Sequence, residues 1–229
     1  MNFANMGRNI VKVWMAYWDK FLITGLGYTL SLAAIAVIFG TVFGALIALM
    51  RMSKIKPLHW LTGAYTGIIR GTPMLLQLYL FYFALPQLIP ILNRQQYACV
   101  AIALVCNSAA YVSEIIRSGI QAVDAGQAEA ARSLGLSQRL TMTEIVLPQA
   151  VKNILPALGN EFIMLVKDTS LASTFFIGDI MTQFKLVQGV TYLNIEPLII
   201  VGIIYFIVTS ILNKLLGFLE RRMRRGDIR

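Results

Sequence analysis

Two acidic residues in an apolar stretch are the side chains best suited to chemistry. Glu161 and Asp168 lie seven residues apart within residues 153–177, a stretch that is otherwise largely apolar. In a helix they would point within about 20° of each other, roughly 10 Å apart along the axis. Ionisable groups at membrane depth are costly and normally face a partner or a cavity. We therefore expect the pair either to line the path of a cationic substrate or to bond neighbouring helices.

Four further polar residues in apolar stretches are candidates for the same path. Small polar side chains in membrane helices more often hydrogen-bond between helices, so both roles stay open for each of them. They are Asn160, Gln77, Asn107 and Ser108.

The composition indicates an integral membrane protein. Of 229 residues, 57% are hydrophobic and 14% are charged, whereas soluble proteins have about 45–50% and about 25%. Disordered chains are poor in apolar residues, so disorder is excluded. Cys99 and Cys106 would lie two helical turns apart, which is too far for a disulfide, and His59 is the sole histidine, which excludes a His-rich zinc site.

The apolar stretches predict an all-α protein with five transmembrane helices. Each stretch approaches or exceeds the 20 or so residues that a helix needs to cross the bilayer. Gly40 and Gly44 form a small-xxx-small pair in the first stretch, which favours close helix packing. The predicted spans are 21–50, 74–91, 97–116, 153–177 and 197–219.

Basic residues predict the orientation. They concentrate in the connections 51–70 and 117–152 and in the tail 221–229, which the positive-inside rule places in the cytoplasm. Five spans then put the N-terminus outside, where residues 1–20 are expected to form an amphipathic interfacial segment. Basic residues at span ends and in the tail would contact anionic lipid, which accounts for the net charge of +9. The charge therefore does not indicate binding of nucleic acid.

The connection 124–148 is predicted to form a helix–turn–helix elbow in the cytoplasm. Residues 127–134 favour a helix, and Gly135 suits a left-handed cap. Ser137 is expected to cap a second helix that Pro148 stops. Such an elbow either packs under its own bundle or docks into a partner.

The elbow resembles the EAA motif of ABC-importer permeases at every fixed position. Segments 70–77, 110–117 and 167–171 are also similar to the polar amino acid (histidine/glutamine/arginine type) branch of that family, and the resemblance covers about residues 20–220. The motif positions are Glu129-Ala130-Ala131, Gly135, Ile145 and Leu147-Pro148.

The resemblance implies a type I importer fold whose elbow inserts into a separate ATPase subunit. It also implies a homodimer of these ATPase subunits, a second permease subunit, identical or homologous, and an extracytoplasmic amino-acid-binding protein. The chain lacks a phosphate-binding G-x-x-x-x-G-K-[ST] loop, so ATP and Mg²⁺ are expected in the partner and no cofactor in this chain. The implied coupling residues are Gln127, Glu129, Ala130, Ala131, Gly135, Ile145, Leu147 and Pro148.

A third set of residues is expected to form a gate or its scaffold. Glu114 and Arg117 are three residues apart, which favours an ion pair on one helix. Pro73 suits a first helical turn. The set comprises Arg70, Gly71, Thr72, Pro73, Glu114 and Arg117.

Together these features predict a permease subunit, not an enzyme, in the bacterial inner membrane. It is expected to import polar amino acids by alternating access, with arginine, lysine or histidine favoured by the two acids. Glutamine, cystine or another non-cationic substrate is the alternative. An ion-coupled carrier or channel acting alone is a second alternative, although such carriers often contain internal repeats and more spans.

Overall fold

The computed structural model describes residues 3–224, which form helices and turns and no strand. Two π-helical turns, Lys20–Gly25 and Thr141–Val146, and two 3-10 helices, Pro90–Leu92 and Thr169–Phe175, interrupt the α-helices. The α-helices are α1 (Phe3–Asp19), α2 (Leu26–Met52), α3 (Lys56–Gly71), α4 (Met74–Leu88), α5 (Gln96–Gln121), α6 (Ala125–Ser133), α7 (Gln138–Leu140), α8 (Leu147–Asp168), α9 (Ile180–Thr191) and α10 (Ile195–Arg224).

Three helical runs in the described residues are long and apolar enough to cross a membrane. They are Asn5–Met52, Gln96–Gln121 and Ile195–Met223. The pair α3 and α4, separated by a sharp break, provides a fourth if it counts as one span. The predicted count of five spans and the orientation of the termini stay predictions.

The chain divides into two compact units. The first consists of Met1–Ala36, Pro73–Leu104 and Ile163–Leu212. The second consists of Val37–Thr72, Val105–Phe162 and Asn213–Arg229. The basic tail 221–229 belongs in part to the described residues, and its residues 225–229 lie outside them.

The first unit has its core where α1 meets α9 and α10. Ile10 and Tyr17 of α1 pack against this core, and α1 runs through the π-helical turn into α2. The expected interfacial segment is thus a helix with one face packed on protein. The buried core residues are Val13, Phe21, Ile180, Val187, Ile200, Val201 and Ile204.

In the second unit α2 and α5 approach closely at glycines. A Cβ added at Gly40 would lie 2.5 Å from the Ser108 hydroxyl, and one at Gly44 would lie 2.8 Å from Val112 Cβ. Distances below 3.0 Å leave no room for a methyl group. The packing role predicted for this glycine pair is therefore confirmed.

The prediction that Pro148 stops a helix is wrong. The helical run that begins at Gln138 continues through Pro148 and Pro156 to Asp168. A π-helical turn, Thr141–Val146, precedes Pro148. Such a turn changes the hydrogen-bond pattern locally, so that a proline lacking an N–H is tolerated there.

The regular helix of the predicted span 153–177 ends early. Helix α8 ends at Asp168, and Thr169–Phe175 follow as a 3-10 helix. Phe176 then has a φ of 53°, a left-handed conformation that no α-helix continues through. Asp168 therefore lies at the end of α8, where the α-helix passes into the 3-10 helix.

Candidate functional site

The elbow begins with the helix–glycine–helix geometry that the sequence predicts. Gly135 has a φ of +88°, in the region that glycine adopts without strain. Its N–H donates to the Arg132 carbonyl at 3.0 Å, and the Leu136 N–H donates to the Ala131 carbonyl at 3.2 Å. These two bonds form a Schellman cap at the end of α6. The left-handed cap at Gly135 is confirmed.

Side-chain exposure divides the EAA residues into two groups. Glu129 and Ala130 are exposed, whereas Ala131 is buried. At the tip of the elbow, the side chain of Leu134 is 83% exposed. Ala131 thus packs inside, while Glu129 and Leu134 present a carboxylate and an apolar side chain to a surface that a partner can contact.

Of the remaining coupling residues, Gln127 lies on α6, and Ile145, Leu147 and Pro148 lie on the helical run that begins at Gln138. The Ser137 hydroxyl accepts the Leu140 N–H at 3.3 Å, which confirms its role as a cap. Gln127 and Pro148 are exposed, and Ile145 and Leu147 are half-buried.

Glu114 is the centre of an arginine cluster in the second unit. Its carboxylate accepts two hydrogen bonds from Arg117, at 2.7 Å and 3.0 Å. Arg51 lies 3.3 Å from one carboxylate oxygen, and Arg70 lies 3.8 Å from the other. The Glu114 side chain is only 13% exposed. One half-buried anion therefore joins cations from α2, α3 and α5.

The arginines have further contacts that fix their directions. The Arg51 guanidinium donates to the Thr66 hydroxyl at 3.1 Å. The Arg70 guanidinium lies 5.4 Å from the centre of the Tyr111 ring, at the distance of a cation–π contact. Arg117 also donates to Gln121 at 2.6 Å. The cluster is thus bound to the helices by neutral groups as well as by charge.

The other predicted gate residues form the break between α3 and α4. Gly71 ends α3, and the Thr72 hydroxyl donates to the Ile68 carbonyl at 2.9 Å. Pro73 lies at the cap position before α4, one residue earlier than a first-turn proline. Its fixed φ suits the extended residue that starts the new helix.

The two predicted path acids lie on α8, and both are half-buried. In the described part of the chain, no ion pair within 4 Å involves Asp168. Its charged neighbour is Lys167, the preceding residue, which is exposed.

The four weaker path candidates differ in burial. Asn160 is exposed, whereas Gln77, Asn107 and Ser108 are buried. Ser108 faces Gly40 across the close contact of α2 and α5, which favours its packing role over substrate contact.

A known protein family matches most of the chain. The family described as "Binding-protein-dependent transport system inner membrane component" matches residues 40–225. The chain belongs to this family.

Relatives and a solved structure match nearly the whole permease. The arginine transport system permease protein ArtQ of Bacillus subtilis (strain 168) is 42% identical over 207 residues, which cover 90% of this chain and 94% of ArtQ. A putative glutamine transport system permease protein GlnP of Rickettsia bellii (strain RML369-C) is also 42% identical, covering 89% and 93%. A solved amino acid ABC transporter with histidines has a chain that is 46% identical, with a TM-score of 0.85 and coverage of 91% and 96%.

The permease is thus a multi-pass membrane subunit of an amino-acid ABC importer and not itself an enzyme. Members of this family work with separate ATPase subunits. The family that the EAA motif implied is therefore confirmed, and the coupling role of the elbow stays a prediction.

Two features of the permease were not found from the sequence. Arg51 forms an ion pair with Glu114, although the two residues are 63 positions apart in the sequence. No local sequence pattern predicts this contact. Asp179, which is fully buried, was not singled out either. A Gly-Asp pair before a helical segment is a helix-start signal that identifies Asp179 as a cap.

Proposed function

We propose that this permease imports cationic amino acids, with arginine, lysine and histidine as the expected substrates. The single observation that carries the proposal is Asp168, a half-buried carboxylate whose charged neighbour in the described residues is only the exposed Lys167. A buried charge is normally paired. A substrate cation would provide the partner that Asp168 needs during passage.

Glu161 is the second acid of the proposed path. It lies on α8 with Asp168, and an extended basic amino acid carries two cationic groups, one at each end. Asn160, Gln77 and Asn107 are proposed as weaker polar contacts along the same route. The names of ArtQ and of the solved transporter with histidines agree with a cationic substrate.

The proposed topology has five spans, an outer N-terminus and a cytoplasmic C-terminus. The N-terminal segment 1–20 precedes the transmembrane region 21–220, and the basic tail 221–229 follows it. Basic residues in 51–70 and 117–152 support this orientation. The bacterial inner membrane is the proposed location, because the family description names inner membrane components.

The elbow is the proposed contact with the ATPase. Glu129 and Leu134 are exposed at its surface, and the Gly135 cap fixes the turn between them and the second helix. ATP and Mg²⁺ would be bound by two ATPase subunits. Their closure would press on the elbow and convert an inward-facing permease to an outward-facing one.

The proposed assembly contains a second permease subunit and an extracytoplasmic binding protein. Loaded binding protein would deliver the amino acid to the outward-facing state. ATP hydrolysis would then return the permease to the inward-facing state and release the substrate to the cytoplasm.

Uptake into vesicles tests this function. The vesicles contain the permease, its ATPase and its binding protein, and receive labelled arginine, lysine, histidine, glutamine and cystine in turn. We expect ATP-dependent uptake of the cationic substrates, reduced about tenfold by Glu161→Gln or Asp168→Asn, because a hydrogen bond to a charged group contributes about 1.5–3 kcal/mol. Asp19→Asn, at the end of α1, is the control and should leave uptake unchanged.

Glutamine import is the second candidate, favoured by the similarity to GlnP. Preferred uptake of glutamine, with no effect of either acid substitution, would replace the cationic proposal and assign both acids to structural roles. Uptake without ATP would overturn ATP coupling and favour a carrier acting alone.

A further inference from the structure

The backbone between Asp168 and α9, residues 169–179, is not α-helical and is called the irregular segment; it ends in a turn at residues 176–179. After the 3-10 helix Thr169–Phe175, Phe176 and Gly178 have φ values of 53° and 110°, and α9 begins at Ile180. Irregular backbone at membrane depth is tolerated only where other protein groups satisfy its polar atoms or water reaches it. The side chains that satisfy this segment therefore determine where Asp168 is held.

Side chains at the start of α9 form hydrogen bonds with the polar backbone groups of the turn and of the helix start. The Asp179 carboxylate accepts the Met181 N–H at 2.9 Å and a hydrogen bond from the Thr182 hydroxyl. The Thr182 hydroxyl accepts the Gly178 N–H at 3.3 Å, and the Gln183 side-chain amide donates to the Gly178 carbonyl at 3.0 Å. Asp179 is thus the buried cap on which this turn depends.

Helix α2 and the π-helical turn before it also contact this turn. The Thr29 hydroxyl, fully buried, accepts the Ile180 N–H at 3.2 Å. A Cβ added at Gly25 would lie 3.0 Å from Ile180 Cα, and one at Gly178 would lie 3.3 Å from the Tyr28 ring. The backbone of the turn therefore packs directly against these residues and has little room to shift.

The residue next to Asp168 is also held in place. Thr169 is fully buried and donates to the Val166 carbonyl at 2.8 Å. The irregular segment is thus held at its first residue as well as at the turn that ends it.

We infer that Asp179 is a positioning residue for Asp168. By capping α9 it fixes the turn that ends the irregular segment, and the segment presents the Asp168 carboxylate in one place. Asp179 is itself fully buried, so it would act through Asp168 and not by binding the substrate. The inference rests on the proposed function, in which Asp168 binds the cationic group of the substrate.

Equilibrium binding to the purified permease–ATPase complex tests the inference without the binding protein. The probes are labelled arginine and labelled citrulline, which has nearly the same shape but a neutral side chain. We expect Asp168→Asn and Asp179→Ala each to weaken arginine binding about tenfold and to change citrulline binding little. The double variant should be no weaker than Asp168→Asn alone, because both changes remove the same interaction.

Two matched variants separate positioning from general damage. Asp179→Asn should restore arginine binding, because asparagine caps helices as well as aspartate does. Thr191→Val removes a 2.7 Å hydrogen bond to the Val187 carbonyl at the other end of α9. It should leave the ratio of arginine to citrulline affinity unchanged.

Four results would contradict the inference. Equal losses of arginine and citrulline binding in Asp179→Ala would overturn the inference but not the proposed cationic path. Losses in Asp179→Ala that add to those of Asp168→Asn would do the same. If Asp168→Asn leaves the ratio unchanged, the proposed cationic path is wrong and the inference with it. If Asp179→Ala does not fold, Thr29→Val replaces it, and an unchanged ratio in that variant would overturn the inference.

Discussion

Replacing Glu114 by glutamine should destabilise the permease more than its small change in shape suggests. The substitution keeps the size and one acceptor oxygen but removes the charge that three arginines share. Arg117 lies at 2.7 Å, Arg51 at 3.3 Å and Arg70 at 3.8 Å from the carboxylate. After Glu114→Gln these three cations would face one another without an anion among the described residues.

The magnitude follows from the burial of the cluster. Removing one partner of a fully buried ion pair costs about 3–5 kcal/mol, whereas an exposed pair contributes about 0–1 kcal/mol. The Glu114 side chain is 13% exposed, and those of Arg51, Arg117 and Arg70 are 23%, 31% and 44% exposed. We therefore expect an intermediate loss of about 2 kcal/mol.

Thermal unfolding of the purified permease–ATPase complex measures this loss. For about 2 kcal/mol in a chain of this size, the apparent melting temperature should fall by roughly 4–8 °C. Glu144→Gln is the control, since Glu144 is exposed and forms no ion pair in the described part of the chain. Arg51→Gln should cost about half as much as Glu114→Gln, because Arg117 and Arg70 then still neutralise the carboxylate.

A double substitution decides whether shared charge is the cause. In Glu114→Gln/Arg51→Gln one excess cation is removed with the anion, so the combined loss should be smaller than the sum of the single losses. Additive losses, or a melting temperature for Glu114→Gln within 1 °C or so of the unsubstituted protein, would refute the reasoning.

Two glycines allow further predictions. Gly44→Ala should lower stability by about 1–2 kcal/mol, because its methyl group would lie 2.8 Å from Val112 Cβ, whereas Gly27→Ala on the same helix meets no atom within 4 Å and should be neutral or stabilising in the same melting assay. Gly135→Pro cannot adopt a φ of +88°, so loaded binding protein should no longer stimulate ATP hydrolysis. Gly135→Asn tolerates this conformation and should retain most of the stimulation; equal loss in both variants would argue against the cap as the cause.

Contacts within a few residues were predictable from the sequence. The Glu114–Arg117 pair follows from a spacing of three on one helix, and the Gly135 cap follows from glycine's tolerance of positive φ. Arg51 was not predictable as a member of the same cluster. Its contact with Glu114 depends on how α2 packs against α5, which no spacing along the chain specifies.

The continuation of the helix through Pro148, which the sequence did not predict, bears on the proposed mechanism. A proline inside a helical pattern normally ends the helix, so the sequence predicted a stop between the elbow and the acid-bearing span. The π-helical turn Thr141–Val146 removes that stop, and one helical run extends from Gln138 to Asp168. In the proposed mechanism, the ATPase therefore acts at the start of the helical run that carries Glu161. A loop at Pro148 would have left the elbow and Glu161 free to move separately.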